Sequence, residues 1–249
     1  MAVDFTNVAD DFFVNLNFQT VVDLPDSRET VLSFLEVVQK EFPDMENFYL
    51  RESGEHVLEG DHEGGSYTWL EIQKNRLTAG CFNPPSPENA YHRHGRILER
   101  SKYYLGLGGL DMECLDAIFG FNLNFHGNRD AIVAQALLGG SALSAFLTDP
   151  GVKPLECEPN IAIALDESCC VQARISVETR SSSYQVRTGQ YEDEPITIYL
   201  TVRRYPGNGK ADSPEESFAK MCGSCEDLAE RIVVPQIIQP IAAAIAAGQ

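Results

Sequence analysis

The apolar positions of this chain change period from segment to segment, and one pattern is written twice. Val14-Asn15-Leu16-Asn17-Phe18 alternates apolar and polar residues, and Phe121-Asn122-Leu123-Asn124-Phe125 repeats it, with Phe12 answered by Phe119. Successive side chains of a strand point to opposite faces, so Val14, Leu16 and Phe18 share one side and Asn15 and Asn17 the other. A second echo follows in the same order: Ser86-Pro87-Glu88 returns as Ser213-Pro214-Glu215. Serine as a cap with proline at the first helical position marks a helix start. The chain reads as a duplicated unit, with halves 1–110 and 111–249.

The remaining pattern fills in that unit. Residues 12–22 predict a strand. Asp26 caps a helix, with Glu29 reaching back as in a capping box, and Val31, Phe34, Leu35, Val38 and Phe42 form its apolar stripe before Pro43 ends it. Short alternating segments predict strands at 48–52, 56–59, 67–73 and 76–82. The helix opened by Ser86 runs to about Tyr104, and Gly106, Gly108 and Gly109 form a connector. In the second half, 118–125 is the strand and Asn128 caps a helix over 129–147. Residues 160–165 and 171–178 pair as a hairpin, 196–205 is a long strand, and Ser213 with Glu216 opens the last helix. From Val14 to Ser86 is 72 residues, and from Phe121 to Ser213 is 92. Much of the difference falls in 181–194, a polar stretch long enough to be a functional loop.

Strand, helix, three or four strands, helix, twice over, predicts an α+β fold: a curved, mostly antiparallel sheet with helices on one face. In element order this resembles the TATA-box-binding-protein-like arrangement of duplicated halves. The resemblance implies that the two first strands meet at the centre of one sheet in a single pseudo-twofold domain. It covers element order only and carries over no residue and no activity.

Charge narrows the function. The chain has 249 residues and a formal net charge of −18. The first half holds 9 basic and 18 acidic residues, the second 10 and 19. No basic half or arm exists to neutralise phosphates, so no nucleic-acid partner is expected. The start of the chain lacks a basic, then apolar, signal pattern. Pro235 and Pro240 interrupt the apolar tail, so no membrane span is expected and the tail reads as a packed helix. Seven cysteines, an odd number without small-scaffold spacing, point to a reduced, cytoplasmic protein.

Candidate chemistry is sparse. If the two echoed strands meet, Asn15, Asn17, Asn122 and Asn124 share the open face and offer a neutral amide surface to a protein or small molecule. The alternative is that they only solvate that face. Tyr184, Arg187 and Tyr191 in 181–194 are contact residues of the type interfaces favour. A homo-oligomer is a further option. Cys222-Gly223-Ser224-Cys225 is a C-x-x-C. Core packing, metal binding with Cys169 and Cys170, and redox chemistry are its three readings, and they turn on where the last helix begins. His92 and His94 lie two apart on a helix and cannot chelate together, and His94 falls on the core stripe. His126 with Asp130 forms an acid/base candidate. No phosphate loop, nucleophile elbow or dinucleotide fingerprint occurs, and no cofactor is implied. The leading expectation is a non-enzymatic binding protein. The alternatives are an enzyme or ligand carrier with a pocket between sheet and helices, and a thiol or zinc protein.

Overall fold

The structure is a computed structural model, and it describes residues 5–149, 151–207 and 212–248. The twice-written alternation lies in two long strands, β1 (Asp11–Thr20) and β6 (Met112–Leu123). The other strands are β2 (Asn47–Leu50), β3 (His56–Glu59), β4 (Tyr67–Gln73), β5 (Arg76–Phe82), β7 (Asn160–Ala164), β8 (Val171–Glu178) and β9 (Ile196–Arg204). Every strand pair is antiparallel. The nine strands form one sheet in the order β2-β3-β4-β5-β1-β6-β9-β8-β7. Thus β1 and β6 sit at the centre, with four first-half strands outside β1 and three second-half strands outside β6. The echo offset, 107 residues from Val14 to Phe121, carries Phe13 onto Gly120. These two residues lie opposite one another in the ladder.

One face of the sheet is covered by helices: α1 (Arg28–Glu41), α2 (Pro87–Tyr104), α3 (Arg129–Leu138), α5 (Pro214–Leu228) and α6 (Gln239–Gly248), while the short α4 (Ser183–Thr188) lies between β8 and β9 in the chain. On that face Phe12, Val14, Leu16, Phe18, Phe119 and Phe121 are all fully buried. Rings of Phe5, Phe12, Phe119 and Phe121 meet with centroids 5.2 to 6.0 Å apart, the edge-on and tilted contacts aromatic quadrupoles favour. Helices α2 and α5 lie side by side over the central strands. His94 of α2 sets its Nε2 3.0 Å from the Val14 carbonyl and meets Phe218 of α5 edge-on at 5.6 Å. The Tyr91 hydroxyl donates to Glu226 across the same seam at 3.0 Å. Over the central strands, sheet and helix side chains are in direct contact.

Three boundaries differ from expectation. The cap of α1 is Ser27, whose Oγ accepts from the Thr30 amide; Asp26 lies one residue too early to reach it. Strand β6 starts six residues before 118, because Met112, Cys114 and Asp116 continue its pairing with β1 and Leu115 and Ala117 continue its buried face. Helix α3 stops at Leu138, where Gly139 and Gly140 follow, and a 3-10 turn (Ala142–Leu147) replaces the rest. Glycine in a helix interior costs roughly 1 kcal/mol, and two in succession end it.

The tail is helical, as its apolar pattern predicts, and Pro235 and Pro240 interrupt its composition without ending the helix. Helical structure runs unbroken from Pro214 to Gly248, with a π-helical stretch (Ala229–Ile238) around Pro235. A proline has no N–H to donate and crowds the carbonyl one turn back; a widened turn relieves both. The resulting rod, Pro214–Gly248, is long and apolar enough to cross a membrane by length and composition alone. Val233, Ile238 and Ile241 are nonetheless buried within the fold, and α6 packs against α3, as in a core helix.

Candidate functional site

The face of the sheet opposite the helices carries the side chains of Phe13, Asn15 and Asn17, and strand register arranges them with their neighbours in rows. The row nearest one edge is a hydrogen-bonded chain. Asn83 donates to Asp11 Oδ1 at 2.8 Å, and Asn122 donates to Asp11 Oδ2 at 3.4 Å. Thr197 donates to the Asn122 carbonyl at 2.9 Å, and Arg180 donates to the Thr197 hydroxyl at 2.9 Å and to Tyr199 Oη at 2.9 Å. This row crosses the β1–β6 junction and ties the two halves together.

The next row is aromatic. His62 stacks on Tyr67 at 3.8 Å, Tyr67 on Phe82 at 5.1 Å, Phe82 on Phe13 at 5.9 Å, and Phe13 meets Tyr199 edge-on at 5.8 Å. Gly120 makes the row possible. A Cβ there would fall 1.9 Å from Phe13 Cζ, so the ring lies flat across the glycine. Gly80 does the same for Trp69, whose Nε1 would stand 2.2 Å from an added Cβ. Mid-strand glycine often marks such a close approach. Desolvation by these neighbours holds the Tyr67 and Tyr199 hydroxyls above the usual phenol range.

Beyond the aromatic row the face opens into a groove of about 240 Å³. Ile118, Thr201 and Ala162 lie along it, with Arg203, Arg174 and Gln172 around them. Asp116 is 1% exposed and grips Arg203 through two bonds of 2.6 and 2.7 Å. Its carboxylate raises the Arg203 pKa further above its ordinary value, against the burial that opposes it. Asn17 donates to Asp116 Oδ2 at 2.9 Å. Arg76 is bonded to Gln19 at 2.8 Å, Arg51 to Glu71 at 2.7 Å, and Arg180 to Glu178 at 3.2 Å. Arg174 differs: among the described residues it is exposed and makes no ion pair or side-chain hydrogen bond.

The segment 181–194 follows Arg180 of the first row, and Glu194 at its far end lies 3.8 Å from that arginine; it is not a plain loop. Ser182 and Gln185 form a capping box for α4, and Gly189, at φ +70°, terminates it. Arg129, the first residue of α3 and fully buried, holds both ends of the segment. It donates to the carbonyls of Thr179 at 2.6 Å, Arg180 at 3.4 Å, Glu192 at 2.9 Å and Glu194 at 3.0 Å. Tyr184 is exposed, with the Arg187 guanidinium 5.5 Å from its ring centroid. Tyr191 meets His126 edge-on at 6.5 Å.

The four asparagines share the face but do not gather into one patch. Asn15 lies opposite Ile118 and Asn122 opposite Asp11, two positions to either side of the Phe13–Gly120 pair. Antiparallel symmetry doubles the offset from its centre, so the two amides stand about 13 Å apart along the ladder at ~3.4 Å per residue. Asn17 belongs to the groove, and Asn124 lies beyond the end of β6, its backbone N–H donating to Asp10 Oδ2 at 2.6 Å.

His126 and Asp130 do not form a couple either. His126 is exposed toward Tyr191, while Asp130 is fully buried and accepts from the Cys157 amide at 2.7 Å and the Thr179 hydroxyl at 2.8 Å. The cysteines also separate. Cys222 and Cys225 are buried within α5, two turns or more from its capped start, with Cys225 Sγ 3.6 Å from the Ala117 carbonyl. Burial pushes both thiols up, the reverse of a reactive pair. Cys169 and Cys170 lie in the β7–β8 turn, and among the described residues no group of three or more His, Cys, Asp or Glu side chains is placed to hold a metal ion.

Sequence reasoning passed over Phe13, Trp69, Tyr199, Asp116, Arg174 and Arg203. The signal was present in Gly80 and Gly120, two glycines inside alternating strands. No family model matches the chain, and no curated protein matches it.

Proposed function

We propose that this chain is a non-enzymatic binding module, built as two related halves, whose free sheet face receives a protein partner with the α4 segment at its rim. One observation carries the reading: a row of stacked rings and an arginine, Arg174, that is unpaired among the described residues, lie on a face that no described helix covers. Rings and arginine are the side chains that anchor interfaces. The amide and carboxylate row beside them is already satisfied internally, so it sets the shape of the platform and leaves the rings and Arg174 to make contact. A net charge of −18 favours a protein over a nucleic acid as partner. Seven unpaired cysteines support a reducing, cytoplasmic setting. The direct contact of sheet and helix side chains over the central strands and the separation of His126 from Asp130 weigh against an enzyme.

Photo-crosslinking in cells tests the reading. A benzophenone amino acid at Thr201, on the open face, is expected to give a discrete protein adduct that Arg174→Glu abolishes. The same probe at Tyr103, which is exposed on α2, serves as the helix-side control. Equal labelling from both positions would remove the assignment.

A further inference from the structure

The sheet has two exposed edge strands, β2 and β7, and β7 is the one that borders an apolar groove. All five residues of β7 are exposed, and among the described residues nothing pairs with its outer backbone edge. Ile161 and Ile163 point to the helix side and are 61% and 49% exposed. Burial falls off strand by strand toward this edge. Leu200 and Val202 on β9 are buried, and Ile175 on β8, level with Leu200, is half-buried. Beside it runs an apolar groove, lined by Ile161, Ile163, Ile175, Ile232, Val233 and Ile237, over which no further element closes. Ile232 itself is 43% exposed.

Edge strands are normally blunted by lysine, proline, a bulge or a covering loop, because a free edge templates further pairing. β7 reads Asn-Ile-Ala-Ile-Ala and has no such device. Its composition also speaks to what would pair with it. The chain carries 18 excess negative charges, yet this strand contains no charged residue. Nothing on it would select a basic partner. It is instead symmetric: Ile161-Ala162-Ile163 reads the same from either end.

We propose that β7 is a dimerisation edge. Two copies of this chain pair their β7 strands antiparallel about Ala162 and join two nine-stranded sheets into one. In that register Ile161 of one copy faces Ile163 of its partner, and the reverse contact is identical, as a twofold interface requires. The four isoleucines close over both apolar grooves, while Ala162 meets its counterpart on the open side without crowding. Five residues of each copy enter the ladder, and the exposed isoleucines of both copies and both grooves leave water together, which places the contact at the small, weakly associating end of specific interfaces. Glu158 and Asp166, which flank the strand, are already bonded inside their own protomer, to Thr179 and to Val171 and Ser168. Their like charges cost less for that reason.

The opposite end differs. β2, Asn47–Leu50, is also exposed and uncharged, but it is not palindromic, and the cavity near it mixes Leu24, Val31 and Ile72 with Asp23, Asp26 and Lys74. Leu50→Lys on β2 therefore serves as the control for a charge placed on an exposed edge.

Sedimentation velocity of the full chain from 1 to 100 µM tests the proposal. Wild type and Leu50→Lys are expected to show a concentration-dependent shift to dimer, and Ile163→Lys to remain monomeric with an unchanged circular dichroism spectrum. Ala162→Cys adds a positional readout. Cβ atoms of directly opposed residues lie about 5 Å apart, so mild oxidation is expected to link this variant into a covalent dimer, and adding Ile163→Lys to suppress the link. A wild-type chain that stays monomeric at 100 µM overturns the proposal, as does a dimer indifferent to Ile163→Lys or broken by Leu50→Lys.

Discussion

His94 makes stability depend on pH in a window of its own. It is fully buried between α2, α5 and β1, with Nε2 donating to the Val14 carbonyl and Nδ1 enclosed without a donor. That geometry requires the neutral ring. Burial is the main cause that pulls its pKa down from 6.5 to about 4, and the neighbouring Arg93 charge adds to it. Between those values the unfolded chain binds a proton at this ring and the folded chain does not, so folding loses stability as pH falls from 6.5 toward 4. At about 1.4 kcal/mol per pKa unit, the loss is roughly 1 to 2 kcal/mol by pH 5.5 and about 3 kcal/mol once both states are protonated.

Carboxylates such as Glu41 and Asp212 have lowered pKa values. Their contributions fade only as pH falls below the ordinary carboxylate range, so the interval from pH 7.5 to 5.5 isolates the histidine. The assay is urea unfolding at pH 7.5, 6.5 and 5.5 for wild type and His94→Gln, whose amide can still donate to Val14 but does not titrate. Wild type is expected to lose about half a molar in midpoint over that interval, taking a urea slope near 3 kcal/mol per molar, and the variant much less. The other four histidines are shared by both proteins and cancel. Midpoints that run parallel with pH would refute the assignment.

Two substitutions probe the open face and its rim. Gly120→Ala drives a methyl group into the Phe13 ring and is expected to cost about 1 to 3 kcal/mol in chemical unfolding. Adding Phe13→Ala should recover part of that loss, and strictly additive costs would show that the ring does not lie across the glycine. Arg129→Met leaves the carbonyls at both ends of the α4 segment without their donor. A loss of about 2 to 4 kcal/mol is expected, together with faster tryptic cleavage after Arg187. An unchanged cleavage rate would mean that the segment is held by something else.

The alternation in residues 12–18 and 121–125 was enough to say which side of each strand is buried, because strand period is a local property; that the two strands meet was implied only by the order of elements. It could not say that Asn15 and Asn122 stand apart, because that depends on the register between two strands about a hundred residues distant in the chain. The helix starts at Ser86 and Ser213 were legible from capping chemistry. The fate of Pro235 was not: a proline ends an isolated helix, but packing of Val233, Val234 and Ile238 holds the chain helical through it by widening the turn. The candidate site was least legible. Arg203 and Asp116 lie 87 residues apart in sequence, and Trp69 lies over Gly80 only because β4 and β5 pair in that register.

The long C-terminal rod also sets what lies under the β7 end of the sheet. In the first half α1 packs on α2, and its stripe of Val31, Phe34, Leu35 and Val38 is buried. In the second half the chain runs on past α5, and α3 packs on α6 at the end of the rod instead. Ile132 of α3 approaches Gly248, at the last turn of the rod. With α3 held there, the helix side of β7 borders a groove whose helical wall is Leu228, Ile232, Val233 and Ile237. The extension that makes the tail apolar enough to resemble a membrane span thus also leaves an apolar edge bare. The open face owes nothing to it: its rings and arginines are placed by Gly80, Gly120 and Asp116 within the strands. The two surfaces are therefore separable. Ile163→Lys should abolish self-association while the Thr201 crosslink persists, and Arg174→Glu should remove the crosslink without changing the sedimentation of the chain. A single substitution that eliminates both would mean that the partner on the open face is reached only through the paired sheet.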